Sequence, residues 1–307
     1  MRAVTVSSAS FAHSTSREEG LSRAKGLIER ALPQKPDVIV LPECFANDIG
    51  TAESVPGPIT DAMAEIAKAN ACYIAVPLYE KVGAQIYNSC VMLDRQGAVA
   101  YTYHKLFPVD SEIKGGTTPG TSAKVIETDF GRVGLAICFD LNFREVIQGY
   151  ADQGAELILF TSAYEGGRQL ATWALDYGVF VVSSHWGGIG CIVDKTGHVL
   201  EQGSSWLHPV VTRVLNLDSQ VFHLDYNFNY LDAIRKEYGP AIRIHADVPE
   251  ARCVIESVAE GLDVLSIRDA YGLELYADYM ARSRKVRAQA LADPASVAKH
   301  LRADNIY

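Results

Sequence analysis

The sequence predicts an α/β protein in which a mixed sheet, or two sheets packed together, lies between helices. Three observations carry that expectation. Short β-branched runs alternate with segments of helical period; some neighbouring runs are joined by tight glycine turns, as in hairpins; others are apolar throughout, as in strands buried on both faces. The hairpins set the pattern apart from a simple doubly wound sheet.

Residues 2–8 read as the first strand. Ser16 and Glu19 then form a capping box that opens a helix with Leu21, Ala24, Leu27, Ile28 and Ala31 on one face, and Pro33 and Pro36 end it. Residues 37–41 (DVIVL) form a buried strand, and a helix over 60–71 leads into a strand at 73–77. Strands at 87–93 and 98–103 flank the turn Asp94-Arg95-Gln96-Gly97, where glycine supplies the positive φ. Core strands follow at 132–137, 157–161 and 180–184, separated by helices near 143–153 and 168–178. A second hairpin joins 190–194 to 198–201, and 210–217 reads as the last core strand. Beyond about 218 the pattern weakens: 226–230 is aromatic and polar without a clean period, 251–258 reads as a late strand, and 272–292 as a helix.

The chain has 307 residues, with 28 Lys+Arg against 37 Asp+Glu and a formal charge of −9. With 48% hydrophobic and 21% charged residues it has the composition of a folded globular protein. The acidic balance argues against nucleic acid or an anionic membrane surface as the main partner. No apolar run reaches the ~18 residues of a membrane span, and the first residues lack the apolar core of an export signal. The six cysteines are widely spaced, which points to reduced thiols and a cytoplasmic setting.

Three strand ends carry chemistry. Glu43 follows the 37–41 strand, Lys105 the 98–103 strand and Cys138 the 132–137 strand, where loops meet over a rigid sheet. Singly, each has an ordinary structural reading: a solvated carboxylate, a surface ammonium and a small buried thiol. Together they suit one task. A thiol with an ordinary pKa of about 8.5 needs a base, which a carboxylate supplies, and attack on a carbonyl creates an oxyanion that an ammonium stabilises. Asn142, three residues before Glu145, reads as the cap of the helix after Cys138, whose dipole would favour thiolate. No histidine spacing fits a metal and no glycine-rich phosphate loop is present, so no cofactor or metal is expected.

The segments LPE at 41–43, YHKL at 103–106 and GRVGLAICFDLNFRE at 131–145 resemble the nitrilase superfamily of carbon–nitrogen hydrolases. Thr118-Pro119-Gly120 and the hairpin from Gly190 to Gly197 extend the resemblance over about residues 1–217. It implies an α/β fold built as a four-layer αββα sandwich of two mixed sheets, in a hydrolase domain over 1–260. Residues 261–307 are left as a C-terminal helical extension for docking or oligomerisation. It further implies Glu43 as general base and acid, Cys138 as nucleophile, Lys105 as oxyanion stabiliser and the Phe139 amide as a second oxyanion donor. Glu112 stands where many members carry a second glutamate, with Asp110 as the competing carboxylate.

Phe139, Asn142, Tyr164 and Trp186 are the expected substrate contacts. The arginines that carbamoyl-amino-acid hydrolases place at the positions of Leu141 and Asn142 are missing, which argues against that substrate class unless Arg144 or Arg168 substitutes. The function implied is cysteine-dependent hydrolysis of a small-molecule amide through a thioacyl-enzyme. Action on a nitrile or ureide through the same triad, and a catalytically silent binding or scaffold protein, are the alternatives. A homodimer or higher homo-oligomer is expected, with neither nucleic acid nor membrane as partner.

Overall fold

Every strand expected between residues 2 and 217 is present, and with the short unexpected strand at Ile126–Glu127 they build two six-stranded sheets. The structure, a computed structural model, describes residues 1–293. Strands β1 (Ala3–Ala9), β2 (Val38–Val40), β3 (Tyr73–Val82), β4 (Gln85–Leu93) and β5 (Val99–His104) belong to the first sheet. Strands β6 (Ile126–Glu127), β7 (Arg132–Ile137), β8 (Leu157–Ser162), β9 (Phe180–His185), β10 (Cys191–Val193) and β11 (Val199–Gln202) form the second. The chain returns through β12 (Val210–Asn216) to the edge of the first, giving the order β12-β1-β2-β3-β4-β5 against β11-β10-β9-β8-β7-β6. Both sheets are mixed: β1, β2 and β3 run parallel, as do β7, β8 and β9, while the hairpin strands join antiparallel.

Helices α1 (Arg17–Ala31) and α2 (Pro58–Asn70) cover the outer face of the first sheet, where Ala24, Ile28 and Met63 meet Ile39, Leu41 and Ile74. After the short α3 (Asp110–Lys114), helices α4 (Arg144–Asp152) and α5 (Arg168–Tyr177) cover the second sheet in the same way, with Ile147, Tyr150 and Trp173 on Ile158, Phe160 and Val181. Because side chains alternate along a strand, Val38 and Val40 face away from the helices into the space between the sheets. There the sheets meet through buried serines: Ser8 Oγ donates to Ser183 O at 2.6 Å and Ser184 Oγ to Ala9 O at 2.8 Å. The result is the four-layer αββα sandwich.

The packing divides the chain into two compact units, one spanning Ala3–Leu215 and the other joining Met1–Arg2 to the chain from Asn216 onward. The division falls well before residue 260. Strands β13 (Ser219–His223), β14 (Ile242–Asp247) and β15 (Arg252–Ser257) form a separate three-stranded sheet, in the order β13-β15-β14. Helices α6 (Phe228–Tyr238) and α7 (Val264–Tyr271) pack on them through Leu231, Ile234, Val264 and Ile267. Residues 216–260 therefore share a core with the later helices. The expected helix over 272–292 begins later, as α8 (Tyr276–Ala292), because Gly272 takes φ +62° and ends α7. The rest of the expected extension, 294–307, lies outside the described residues.

Helix α6 has no clean period in the sequence because its buried face is two residues, Leu231 and Ile234. Its start is held instead by the buried Asn227, whose Nδ2 donates to His223 O at 2.9 Å and Glu274 O at 2.8 Å.

Candidate active site

Glu43 sits in the turn after β2, and the fold fixes that turn from several sides. Asn47 pairs with the backbone of Tyr79 on β3, donating to its carbonyl at 2.9 Å and accepting from its N–H at 2.9 Å. Gly20 of α1 lies so close that a Cβ there would stand 2.6 Å from Ala46 Cα, which makes glycine a requirement of this approach. Trp186, in the loop after β9, donates its indole N–H to Glu43 O at 2.5 Å.

Lys105 leaves the end of β5 with its backbone held on both sides. Its N–H donates to Asn88 O at 2.9 Å, and its carbonyl accepts from Gly120 N at 2.8 Å. A Cβ on Gly120 would meet His104 O at 2.2 Å, so the Thr118-Pro119-Gly120 step can lie along β5 only without a side chain. Cys138 directly follows β7 and opens a short 3₁₀ turn, Cys138–Asn142, with φ +50°. A non-glycine residue in this left-handed region costs roughly 1–2 kcal/mol. The surrounding turn holds it there through Asp140, a fully buried carboxylate. Asp140 accepts from Ile137 N at 2.9 Å, Phe107 N at 2.9 Å and Tyr103 Oη at 2.8 Å, so it ties the Cys138 turn to the segment that follows Lys105. Burial pushes its carboxyl up to about 6, against the pull of those donors.

These elements converge on one cavity of about 330 Å³, lined by Glu43, Lys105, Glu112, Cys138, Tyr79 and Trp186 among others. Lys105 Nζ lies 2.9 Å from Glu43 Oε1 and 2.7 Å from Glu112 Oε2. Asn88 repeats the bridge with its amide nitrogen, donating to Glu43 Oε1 at 2.7 Å and Glu112 Oε1 at 2.8 Å, while its Oδ1 accepts from the Cys44 thiol at 3.4 Å. Glu112, on α3, also accepts from Val109 N at 2.8 Å. Asp110, the competing carboxylate, instead pairs with Lys114 on the exposed side of the same helix. Glu43 Oε1 thus has two donors, whereas Oε2 is buried and accepts no hydrogen bond.

The electrostatics follow from this arrangement. Burial works against the Lys105 ammonium, but Glu43, Cys138 and Glu112 outweigh it and keep the group protonated. Burial likewise works against the Glu112 charge, and Lys105, Asn88 and Val109 N–H hold its carboxyl below the usual range. The Cys138 thiol is pushed up to about 12, first by burial and then by the Glu43 charge; Lys105, the Ala163 N–H and the Ser162 hydroxyl pull the other way without matching them. The helix dipole therefore does not leave a resting thiolate, and the sulfur needs a base. Cys44, beside Glu43, is no rival nucleophile, since it is buried, and that burial and the same carboxylate raise its thiol well above the ordinary range.

Among the expected substrate contacts, Trp186 lines the cavity and lies against His13, ring centroids 4.9 Å apart. The Phe139 ring turns away onto Phe143. Asn142 is not the cap of α4: Phe143 occupies that position, and Asn142 is exposed. Its amide donates to Phe139 O at 3.2 Å and accepts from Gln169 Nε2 at 3.0 Å, so it ties the Cys138 turn to α5. Tyr164 lies next to Asn142, its Oη accepting at 3.5 Å, and is part exposed. Arg144 pairs with Asp176 and Arg168 is exposed; neither lines the cavity. Sequence reading missed Asn88 and Asp140. The signal available for Asp140 was its place two residues after the thiol; for Asn88 there was none beyond a polar residue inside an apolar strand.

The model of the family described as carbon-nitrogen hydrolase matches residues 4–219. Among curated proteins, the omega-amidase NIT2 of Bos taurus is 34% identical over 179 residues, which is 53% of this chain and 64% of that protein's length. The omega-amidase NIT2 of Danio rerio is 29% identical over 249 residues, 72% of this chain and 87% of that protein. Among solved structures, Saccharomyces cerevisiae Nit3, a member of branch 10 of the nitrilase superfamily, superposes with a TM-score of 0.63 at 19% identity, covering 78% of this chain and 95% of that one. An amidase from Nesterenkonia sp. gives 0.62 at 20% identity, covering 69% and 90%. These structural likenesses establish the sandwich, and the family match spans the residues that build the cavity. The chain belongs to the carbon–nitrogen hydrolase family.

Proposed function

We propose that the chain hydrolyses a small-molecule amide, releasing ammonia or an amine, through a thioester on Cys138. The observation that carries this reading is the single cavity in which an unpartnered carboxylate oxygen, a doubly held ammonium and a protonated thiol meet. Glu43 Oε2 takes the thiol proton as the sulfur attacks the carbonyl carbon. An ammonium has three N–H donors, and two of those on Lys105 point to Glu43 and Glu112. The third is free for the oxyanion, with the Phe139 N–H as its partner donor. Glu43 returns its proton to the leaving nitrogen as the C–N bond breaks. Water, deprotonated at Glu43, then attacks the thioester; collapse breaks the C–S bond, returns the proton to sulfur and frees the carboxylic acid. Glu112 and Asn88 act as positioning groups that keep Lys105 and Glu43 in register.

The relatives named for amidase activity support an amide as the substrate. The test is ammonia release from primary amides, with hydroxylamine added to intercept the acyl group. Hydroxamate should form at the expense of acid in the wild type and be lost in Cys138→Ala. Ammonia release without a trappable acyl group would sink the thioester.

Cytoplasmic residence and homo-oligomeric assembly belong to the same proposal. Among the described residues no helix is long and apolar enough to cross a membrane, and the six cysteines are unpaired. Helix α8 runs for 17 residues without one buried in its own chain, and Trp206 and Leu207 stand 84% and 50% exposed, surfaces that a second copy would cover. Light scattering should give at least a dimer mass; a monomer at micromolar concentration would exclude assembly.

A further inference from the structure

The charge around the cavity bears on which amides fit it. Glu43, Glu112 and Asp48 contribute three carboxylates to its lining, and among the described residues Lys105 is the one Lys or Arg that does so. The Lys105 ammonium is already shared between Glu43 and Glu112 at 2.9 and 2.7 Å. A ligand therefore meets a net excess of two negative charges, and the one cation is spent on Glu43, Glu112 and the reacting oxygen, which leaves none for a charged acyl chain. Two of the carboxylates belong to the reacting centre, where Glu43 keeps a buried oxygen without a hydrogen bond.

Asp48 is different. It lines the cavity from a half-buried position two residues past the turn that holds Glu43. Its Oδ1 accepts from Thr51 N at 3.0 Å, which fixes the side chain as the cap of a short 3₁₀ turn. Trp186 and His13, their rings tilted 32° to each other and both lining the cavity, add an aromatic wall, and an aromatic face favours a cation over an anion. The basic groups that could have reversed this balance are elsewhere: Arg144 is held by Asp176, and Arg168 does not reach the cavity.

We infer that the cavity selects amides whose acyl chain is neutral or carries an ammonium group, and rejects those carrying a carboxylate, with Asp48 as the specificity-determining residue that meets the cation. The inference rests on the amide-hydrolase reading for its reaction but not for its binding order.

The test compares three primary amides of one short chain length: valeramide, δ-aminovaleramide and the monoamide of glutaric acid. Short chains are needed because a neighbouring cavity that shares Trp186 carries Arg23 and Arg30, which a longer acid could reach. At neutral pH, kcat/KM should rank the ammonium compound at or above the neutral one, and the carboxylate at least about tenfold below it. Asp48→Asn keeps an oxygen to cap Thr51, and asparagine caps as well as aspartate. It should lower the ammonium-to-neutral ratio by about threefold or more, a modest figure because the site is part exposed and screened. Calorimetry with Cys138→Ala should return the same order in Kd. That measurement separates the two readings: if the wild type turns over none of the three, the hydrolase assignment fails while the binding order still decides selectivity. Preference for the carboxylate amide in either measurement overturns the inference, and an unchanged ratio in Asp48→Asn removes Asp48 from it.

Discussion

Lys105→Met should cost about 3–5 kcal/mol of stability, the usual penalty for removing one partner of a buried ion pair. The side chain is 1% exposed, and without its charge Glu43 and Glu112 share a buried site with only Asn88 between them. Two like charges so close in a buried site repel each other, and that repulsion is the source of the lost stability. Activity should fall by about 10²–10³-fold from loss of the oxyanion donor alone. The double variant Lys105→Met/Glu112→Gln separates the effects. Removing the second charge should restore much of the stability, read as a denaturant midpoint, and none of the turnover. Recovery of activity in the double variant would show that Lys105 serves only to neutralise Glu112.

Glu43→Gln should lower amide turnover by about 10²–10⁴-fold, the range for loss of a general base and acid, while making the thiol more acidic. The signs oppose each other for a physical reason. The Glu43 charge is the second contribution, after burial, that raises Cys138 to about 12. An isosteric amide removes the charge and leaves Lys105 in place, so the titration midpoint should fall toward the ordinary thiol value of about 8.5. Ultraviolet absorbance of the thiolate, taken as the difference between each protein and its Cys138→Ala counterpart, reads that midpoint directly. In the wild type the thiolate should be scarce at neutral pH and grow only on the alkaline side. A wild-type thiol already ionised at pH 7 would contradict the proposed need for a base. A midpoint that rises in Glu43→Gln would show that the carboxylate does not face the sulfur.

Both variants act on residues visible in the sequence because each stands at the end of an apolar strand, a place local patterning can locate. The same local signals fixed Ser16 as the cap of α1 and the two expected hairpins, β4–β5 and β10–β11. They misled at Asn142, where the capping pattern with Glu145 was present but the chain turns one residue later and the amide reaches across to Gln169 instead. Asn88 shows the limit from the other side. Inside a strand its period is that of its neighbours, and nothing near it in the chain reveals that two carboxylates, 45 and 24 residues away, will meet its amide.

From the order of residues alone came the layered α/β class, the strand ends bearing Glu43, Lys105 and Cys138, and the family likeness, since each depends on periods and motifs within a few positions. Tertiary structure alone decided which oxygen of Glu43 is left open, that Asp140 couples the Cys138 turn to the Lys105 segment, and that the residues after Asn216 build a core of their own. Those outcomes depend on groups far apart in the chain being desolvated together, and neither burial nor the field of a distant charge is written in local sequence.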